Sequence, residues 1–161
     1  MALYFAYGSN LLLSQIRERL KNPNLEPCFV AYSDNKKLFF PRETRNQKGG
    51  VASYTESQGH KLWGAVFDLT HEEITKLDIF EGYKDEGYKE REKNNSYNRI
   101  KITVTKIDGS KENTETYIAT EQGIFLPSQY YIDKILRGGE ECGLPKYYIE
   151  ELKHIETNGI R

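Results

Sequence analysis

Material for metal and disulfide chemistry is scarce in this chain: 161 residues hold only two cysteines and three histidines. Cys28 and Cys142 stand far apart and flank no metal-type spacing, so they read as reduced thiols. His60, His71 and His154 are scattered, His71 directly after a helix-cap signal, and nothing marks a Ser-His-Asp triad. An excess of one charge is also missing. With 23 basic and 24 acidic residues the formal net charge is −1, which argues against the basic face that nucleic acid or an anionic membrane surface requires. No apolar run approaches membrane-spanning length, and the first residues show neither a basic n-region nor a cleavage site. The expectation is one cytoplasmic domain over residues 1–161, without nucleic-acid or membrane partners. That length supports a real core but not two comfortable domains. Absent too are the nucleophile elbow, the Walker loop, G-x-G-x-x-G, H-E-x-x-H and C-x-x-C.

Tyrosine is what the chain has in surplus, with 12 residues. An apolar ring with a polar tip suits a half-polar cavity as well as a core, although most tyrosines simply fill strands. Residues 3–7 read as a buried strand, broken by Gly8-Ser9-Asn10. A helix follows in "QIRERLKN", with Asn10 or Ser14 as its N-cap and Asn22-Pro23-Asn24 as its stop. "PCFVAYSDNKKLFFP" predicts two short strands about a turn at Asp34-Asn35. "GGVASYTE" becomes strand-like, and "KLWGAVFDLT" is apolar enough to be buried on both faces, with Gly64 marking a bulge or a close backbone approach.

"THEEITKLDIFEGY" carries the clearest helix signals. Thr70 with Glu73 forms a capping box, Ile74, Leu77 and Phe80 form an apolar face, and Gly82 is the natural stop. Glu81 then lies in the last turn, where the negative end of the helix dipole raises a carboxyl pKa. "RIKITVTKIDGSKENTETYIA" alternates about Asp108-Gly109 and predicts a hairpin. Two helices follow, with Pro127 and Pro145 at their starts. The strands are not separated singly by helices, which excludes a doubly wound parallel sheet. The fold class is α+β, a mixed sheet free to curl into a small barrel flanked by helices.

Two features carry chemistry. A strand-to-helix turn such as Gly8-Ser9-Asn10 aims main-chain N–H groups outward, toward a carboxylate, a carbonyl oxygen or a phosphate. Gly8 there meets a need for either positive φ or close approach to a ligand. Glu81 is the second feature. Each alone is weak, since most such turns only turn the chain and most glutamates near helix ends are solvated.

Together, and in order, they resemble the γ-glutamylcyclotransferase family, also called AIG2-like. "FAYGSNL" is similar to its N-terminal signature, "GGVASY" and "KLWGAVFDLT" to its middle strands, and "LDIFEGY" followed by Tyr88 to the segment with its catalytic glutamate. "PSQYYIDKILRGGEECGLPKYYIEELKHIE" is similar to its C-terminal part, apart from Gln129 where relatives often have proline. The resemblance implies 5-oxoproline formation from a small-molecule γ-glutamyl substrate, with release of an amine or amino acid and no metal or organic cofactor. It assigns catalysis to Glu81 and substrate binding to the loop Tyr7, Gly8, Ser9, Asn10 and Leu11 and to Tyr88, Tyr117 and Tyr131. Tyr131 fits without a gap, while the Tyr130-Tyr131 pair leaves its neighbour open. Two alternatives stay open: a γ-glutamylamine or γ-glutamyl-carrier cyclotransferase of the same fold, and a non-catalytic small-molecule binding domain. A homodimer is open from the relatives alone. Contacts to the departing half are expected between Gly82 and Tyr97 or from the helix after Pro127.

Overall fold

In the computed structural model, which describes residues 2–84 and 95–161, five strands close into a barrel in the order β1-β3-β2-β4-β5. The strands are β1 (Ala2–Ala6), β2 (Phe29–Thr44), β3 (Gly49–Leu69), β4 (Tyr97–Lys106) and β5 (Lys111–Ala119). Neighbours pair antiparallel except β1 and β5, which meet in parallel at Tyr4 and Glu115 and so close the sheet. The α+β barrel expected from the element order is therefore the fold. Four α-helices flank it: α1 (Leu13–Leu20), α2 (His71–Glu81), α3 (Gln129–Cys142) and α4 (Lys146–Lys153). Among the described residues no helix is long and apolar enough to cross a membrane.

β1 and the second half of β3 run through the core, with residues Leu62 to Phe67 all buried, and the helices pack Ile16, Leu20, Leu77 and Ile135 against them. Gly64 is there because nothing larger fits. A Cβ at that position would stand 2.3 Å from the Ala6 carbonyl oxygen and 2.6 Å from the Phe5 ring.

Two expectations about turns and caps change. Asp34-Asn35 is no turn between short strands: β2 runs unbroken for 16 residues, and its register against β3 slips between Asp34 and Lys36. Asn35 takes the left-handed conformation, φ 58°. The polar pair thus supplies a bulge, which bends a long strand around a barrel with the same local conformation a turn would use. Nor do Asn10 or Ser14 cap α1. A 3-10 turn, Ser9–Leu11, precedes it, and the N-cap position is Leu12, with no side-chain cap. The Asn10 side chain is employed elsewhere.

Helix α2 follows its signals closely. Thr70 and Glu73 make the reciprocal capping box, and Gly82 ends the helix at φ 67°. Ile74 and Leu77 are buried as expected, but Phe80 is 55% exposed. Its ring lies beneath the Arg19 guanidinium, 5.3 Å from centroid to Cζ, instead of joining the core.

Candidate active site

The end of β1, the 3-10 turn and the last turn of α2 meet at one cavity of about 190 Å³. Tyr7, Gly8, Ser9, Asn10, Glu81, Tyr117 and Tyr131 all line it. Four segments distant in sequence thus deliver seven of the nine residues singled out above. Leu11 does not line it: it is fully buried beneath the turn, where α3 passes so close that a Cβ on Gly138 would stand 2.3 Å from the Leu11 carbonyl carbon. Tyr88 lies outside the described residues. Tyr131 is buried and lines the cavity, whereas Tyr130 is half-buried and sits between the Lys48 and Lys134 ammonium groups, each 4.5 Å from its ring centroid.

Glu81 comes from α2 with 14% of its side-chain surface exposed. Its Oε1 accepts from Asn10 Nδ2 at 3.0 Å, and Arg19 Nη1 stands 3.8 Å away. Asn10 is the hub. Its Nδ2 also donates to the Tyr4 hydroxyl at 3.1 Å, and its Oδ1 accepts from Arg19 Nη1 at 3.0 Å and Gln15 Nε2 at 3.1 Å. The amide can face only this way, because a carboxylate solely accepts and a guanidinium solely donates. Burial pushes the Glu81 carboxyl up to about 6; Arg19 and Asn10 pull it back, and the nearby Asp78 charge adds to the rise. The direction matches the expectation from the helix dipole, but the main cause is loss of water around the charge.

The tyrosines are fixed in neutral form. Tyr7 OH donates to the Tyr117 carbonyl at 2.5 Å, and Tyr117 OH donates to Asp78 Oδ1 at 2.6 Å. Tyr131 OH accepts from the Ala52 N–H at 3.0 Å, and burial raises it to about 12. Tyr97 OH donates to the Ala52 carbonyl at 2.7 Å. Ala52 is therefore clamped through both of its main-chain groups. A Cβ on Gly8 would meet Ala52 Cβ at 3.3 Å and Tyr131 OH at 3.4 Å. With φ −111°, Gly8 answers to close approach and not to positive φ.

The turn's own hydrogen bonds run from Leu11 N–H to Gly8 O and from Leu12 N–H to Ser9 O. They consume carbonyls, and the first N–H groups of a helical start have no partner within it. Gly8, Ser9 and Asn10, which carry those groups here, line the cavity.

Several lining residues escaped the sequence reading: Tyr4, Arg19, Tyr97 and the Thr44, Asn46 and Gln47 group at the β2–β3 connection. Of the two segments expected to meet the departing half, the helix after Pro127 supplies Tyr131 to the lining and the chain between Gly82 and Tyr97 supplies Tyr97, with residues 85–94 outside the described residues. Lys134 Nζ ties Gln47 to α1 by donating to Gln47 Oε1 at 3.0 Å and Gln15 Oε1 at 3.2 Å. Only Tyr97 carried a usable signal, as one more tyrosine near Glu81. Among the described residues no group of three or more His, Cys, Asp or Glu is arranged to hold a metal ion.

Known proteins share this fold and much of its sequence. A family profile described as AIG2-like matches residues 61–152. The chain is 36% identical over 160 residues to the gamma-glutamylcyclotransferase of Mus musculus, covering 97% of this chain and 79% of that one. It is 34% identical to the gamma-glutamylcyclotransferase of Homo sapiens with the same coverage. A solved structure named gamma-glutamyl cyclotransferase superimposes with a TM-score of 0.85 at 33% identity, over 98% of this chain and 89% of that one.

Proposed function

Since the chain belongs to the γ-glutamylcyclotransferase (AIG2-like) family, we propose that it converts a γ-glutamyl amino acid to 5-oxoproline and the free amino acid, with Glu81 moving the proton. The observation that carries this reading is the state of Glu81. It is a carboxylate in a tyrosine-lined cavity, raised to about 6, whose contact partner is a neutral amide.

The reaction needs such a group. The substrate's α-amine attacks its own γ-carbonyl carbon, forming a C–N bond and closing a five-membered ring; the bond from that carbon to the departing nitrogen then breaks. A free α-amine has a pKa of ~8, so near neutrality it arrives largely as the non-nucleophilic ammonium. On the way to the lactam N–H the α-nitrogen sheds two protons, and the departing nitrogen, which leaves poorly unless protonated, takes up two to end as an ammonium; Glu81 accepts and hands on each in turn. A carboxyl near neutrality does both in turn. The N–H groups of the Gly8–Asn10 turn face the γ-carbonyl oxygen as its negative charge develops. Because the attack is intramolecular, much of the rate comes from holding the chain folded for ring closure.

Thr44, Asn46 and Gln47 in the cavity lining favour a polar departing group, an amino acid over an apolar amine. Such a pocket discriminates single methylenes by only ~1–3 kcal/mol, so several γ-glutamyl amino acids are expected substrates. The free thiols Cys28 and Cys142 suit the cytoplasmic setting that belongs to this reading.

Incubation with γ-glutamyl-alanine, a γ-glutamylamine and glutathione, scored for 5-oxoproline, tests the proposal. Release from the dipeptide supports it. Release from the amine alone moves the chain to the γ-glutamylamine reading, and release from none leaves a binding domain.

A further inference from the structure

Arg19 is the only cation among the described residues that line the cavity. It projects from α1 with 22% of its side chain exposed, and the cyclotransferase reading gives it no task. Its place is well fixed: Nη1 donates to Asn10 Oδ1 at 3.0 Å, and the Phe80 ring lies under the guanidinium, 5.3 Å from Cζ. That hydrogen bond uses one donor of five. Its distance from Glu81 Oε1, 3.8 Å, is too long for a hydrogen bond, so the guanidinium is not consumed by the carboxylate beside it.

We infer that Arg19 binds the α-carboxylate of the γ-glutamyl unit and by doing so sets the α-amine against Glu81. This rests on the cyclotransferase reading and deepens it. The α-amine and α-carboxylate share one carbon, so they stand within hydrogen-bonding distance of each other. Arg19 and Glu81 present the complementary pair at matching separation: ammonium to Glu81, carboxylate to Arg19. The planar guanidinium fork suits a carboxylate in particular, and stacking on Phe80 orders it before the substrate arrives. The division of labour then covers the whole reacting half, with the turn N–H groups on the γ-carbonyl oxygen, Glu81 on the amine and Arg19 on the carboxylate.

This makes the α-carboxylate a specificity determinant. N-(4-aminobutanoyl)-alanine lacks only that group, and its cyclisation gives 2-pyrrolidinone and the same alanine. For the wild type, kcat/KM with γ-glutamyl-alanine should exceed that with this analogue by roughly 100-fold or more, as when a site's charged partner is left unmet. Arg19→Gln should lower kcat/KM for γ-glutamyl-alanine by at least about tenfold more than for the analogue, so the preference collapses. Arg19→Lys, a point charge without the fork, should fall between. Equal losses on both substrates, or no loss on either, overturn the assignment. Should Arg19→Gln fail to fold, Arg19→Lys decides by the same ratio.

Calorimetric titration with 5-oxoproline separates the two levels of the claim. Binding to the wild type that weakens at least about tenfold in Arg19→Gln supports Arg19. If such binding occurs while no γ-glutamyl compound is turned over, the cyclotransferase reading fails and the carboxylate site stands. Equal binding to both proteins sinks the carboxylate site, and no binding or turnover by the wild type sinks both.

Discussion

Helix α2 carries two carboxylates one turn apart, Asp78 and Glu81, and they are almost equally buried, with 16% and 14% of their side chains exposed. Their partners differ. Asp78 meets the Arg99 guanidinium in a short ion pair and also accepts from Tyr117 OH at 2.6 Å; Arg99 is braced in turn by Glu115 at 3.5 Å. Glu81 has an amide N–H at 3.0 Å and a cation beyond hydrogen-bond reach. Asp78 is thus satisfied and holds β4, β5 and α2 together, while Glu81 keeps a poorly compensated charge that burial makes costly. Equal burial on one helix yields an anchor in one case and, in the proposed function, a proton carrier in the other, and the nature of the nearest partner sets them apart.

Exchanging Glu81 for an isosteric amide attacks this difference hardest. Glu81→Gln should lose at least ~100-fold in kcat while still binding 5-oxoproline, because the proton acceptor goes and the shape stays. Wild-type turnover in that variant would remove Glu81 from the chemistry and turn attention to Glu86, which lies outside the described residues. Next in size is Gly8→Val, whose branched side chain would press on Ala52 and Tyr131 and displace the turn that faces Glu81. A loss on the order of 10- to 100-fold in kcat/KM is expected, against no more than about threefold for Ser9→Ala, which keeps the main-chain donor and forfeits one hydrogen bond from Gln15. Unchanged kinetics in Gly8→Val would reduce the loop to a chain reversal.

Asp78→Asn should reverse the pattern. An amide N–H₂ turned toward Arg99 leaves donors facing donors, so chemical denaturation should show a loss of about 1–3 kcal/mol. The activity that remains should have its acid limb moved to lower pH, because the Asp78 charge no longer raises Glu81. Loss of all activity without loss of stability would make Asp78 the functional group of the pair.

Stability against pH sharpens the same difference. The Glu81 pKa is raised on folding, to about 6 from 4.5. The stability this represents is fully present below the unfolded value and lost as pH rises through 6. Glu81→Gln should therefore be more stable than the wild type at pH 7.5, by up to about 2 kcal/mol, and indistinguishable from it at pH 4. Equal melting temperatures at both pH values would mean that Glu81 is ionised without cost.

What was legible beforehand follows the range of the interactions. The capping box at Thr70 and the stop at Gly82 are local, and they place Glu81 in its helical turn without any knowledge of the fold. Gly64, in a run with no polar residue before Asp68, betrays a backbone contact. Asn10 was read locally too, as a cap, yet its amide serves a carboxylate 71 residues away. The Asp34-Asn35 pair has the chemistry of a turn, and only the closed sheet makes it a bulge. Phe80 was read as part of an apolar face, yet its ring meets the Arg19 guanidinium across two helices. The resemblance supplied the loop and the tyrosines, but the partners that tune Glu81 exist only in three dimensions.

The pH dependence of kcat/KM for 5-oxoproline formation from γ-glutamyl-alanine reads the central claim most directly, since it reports the groups that titrate in the free enzyme and substrate. With Glu81 as the acceptor, kcat/KM should fall tenfold per pH unit below an apparent pKa near 6. The same limb should lie lower in Asp78→Asn. An acid limb at the ordinary carboxylate value, or a rate indifferent to pH between 5 and 7, would contradict Glu81 as a buried, weakly paired proton carrier.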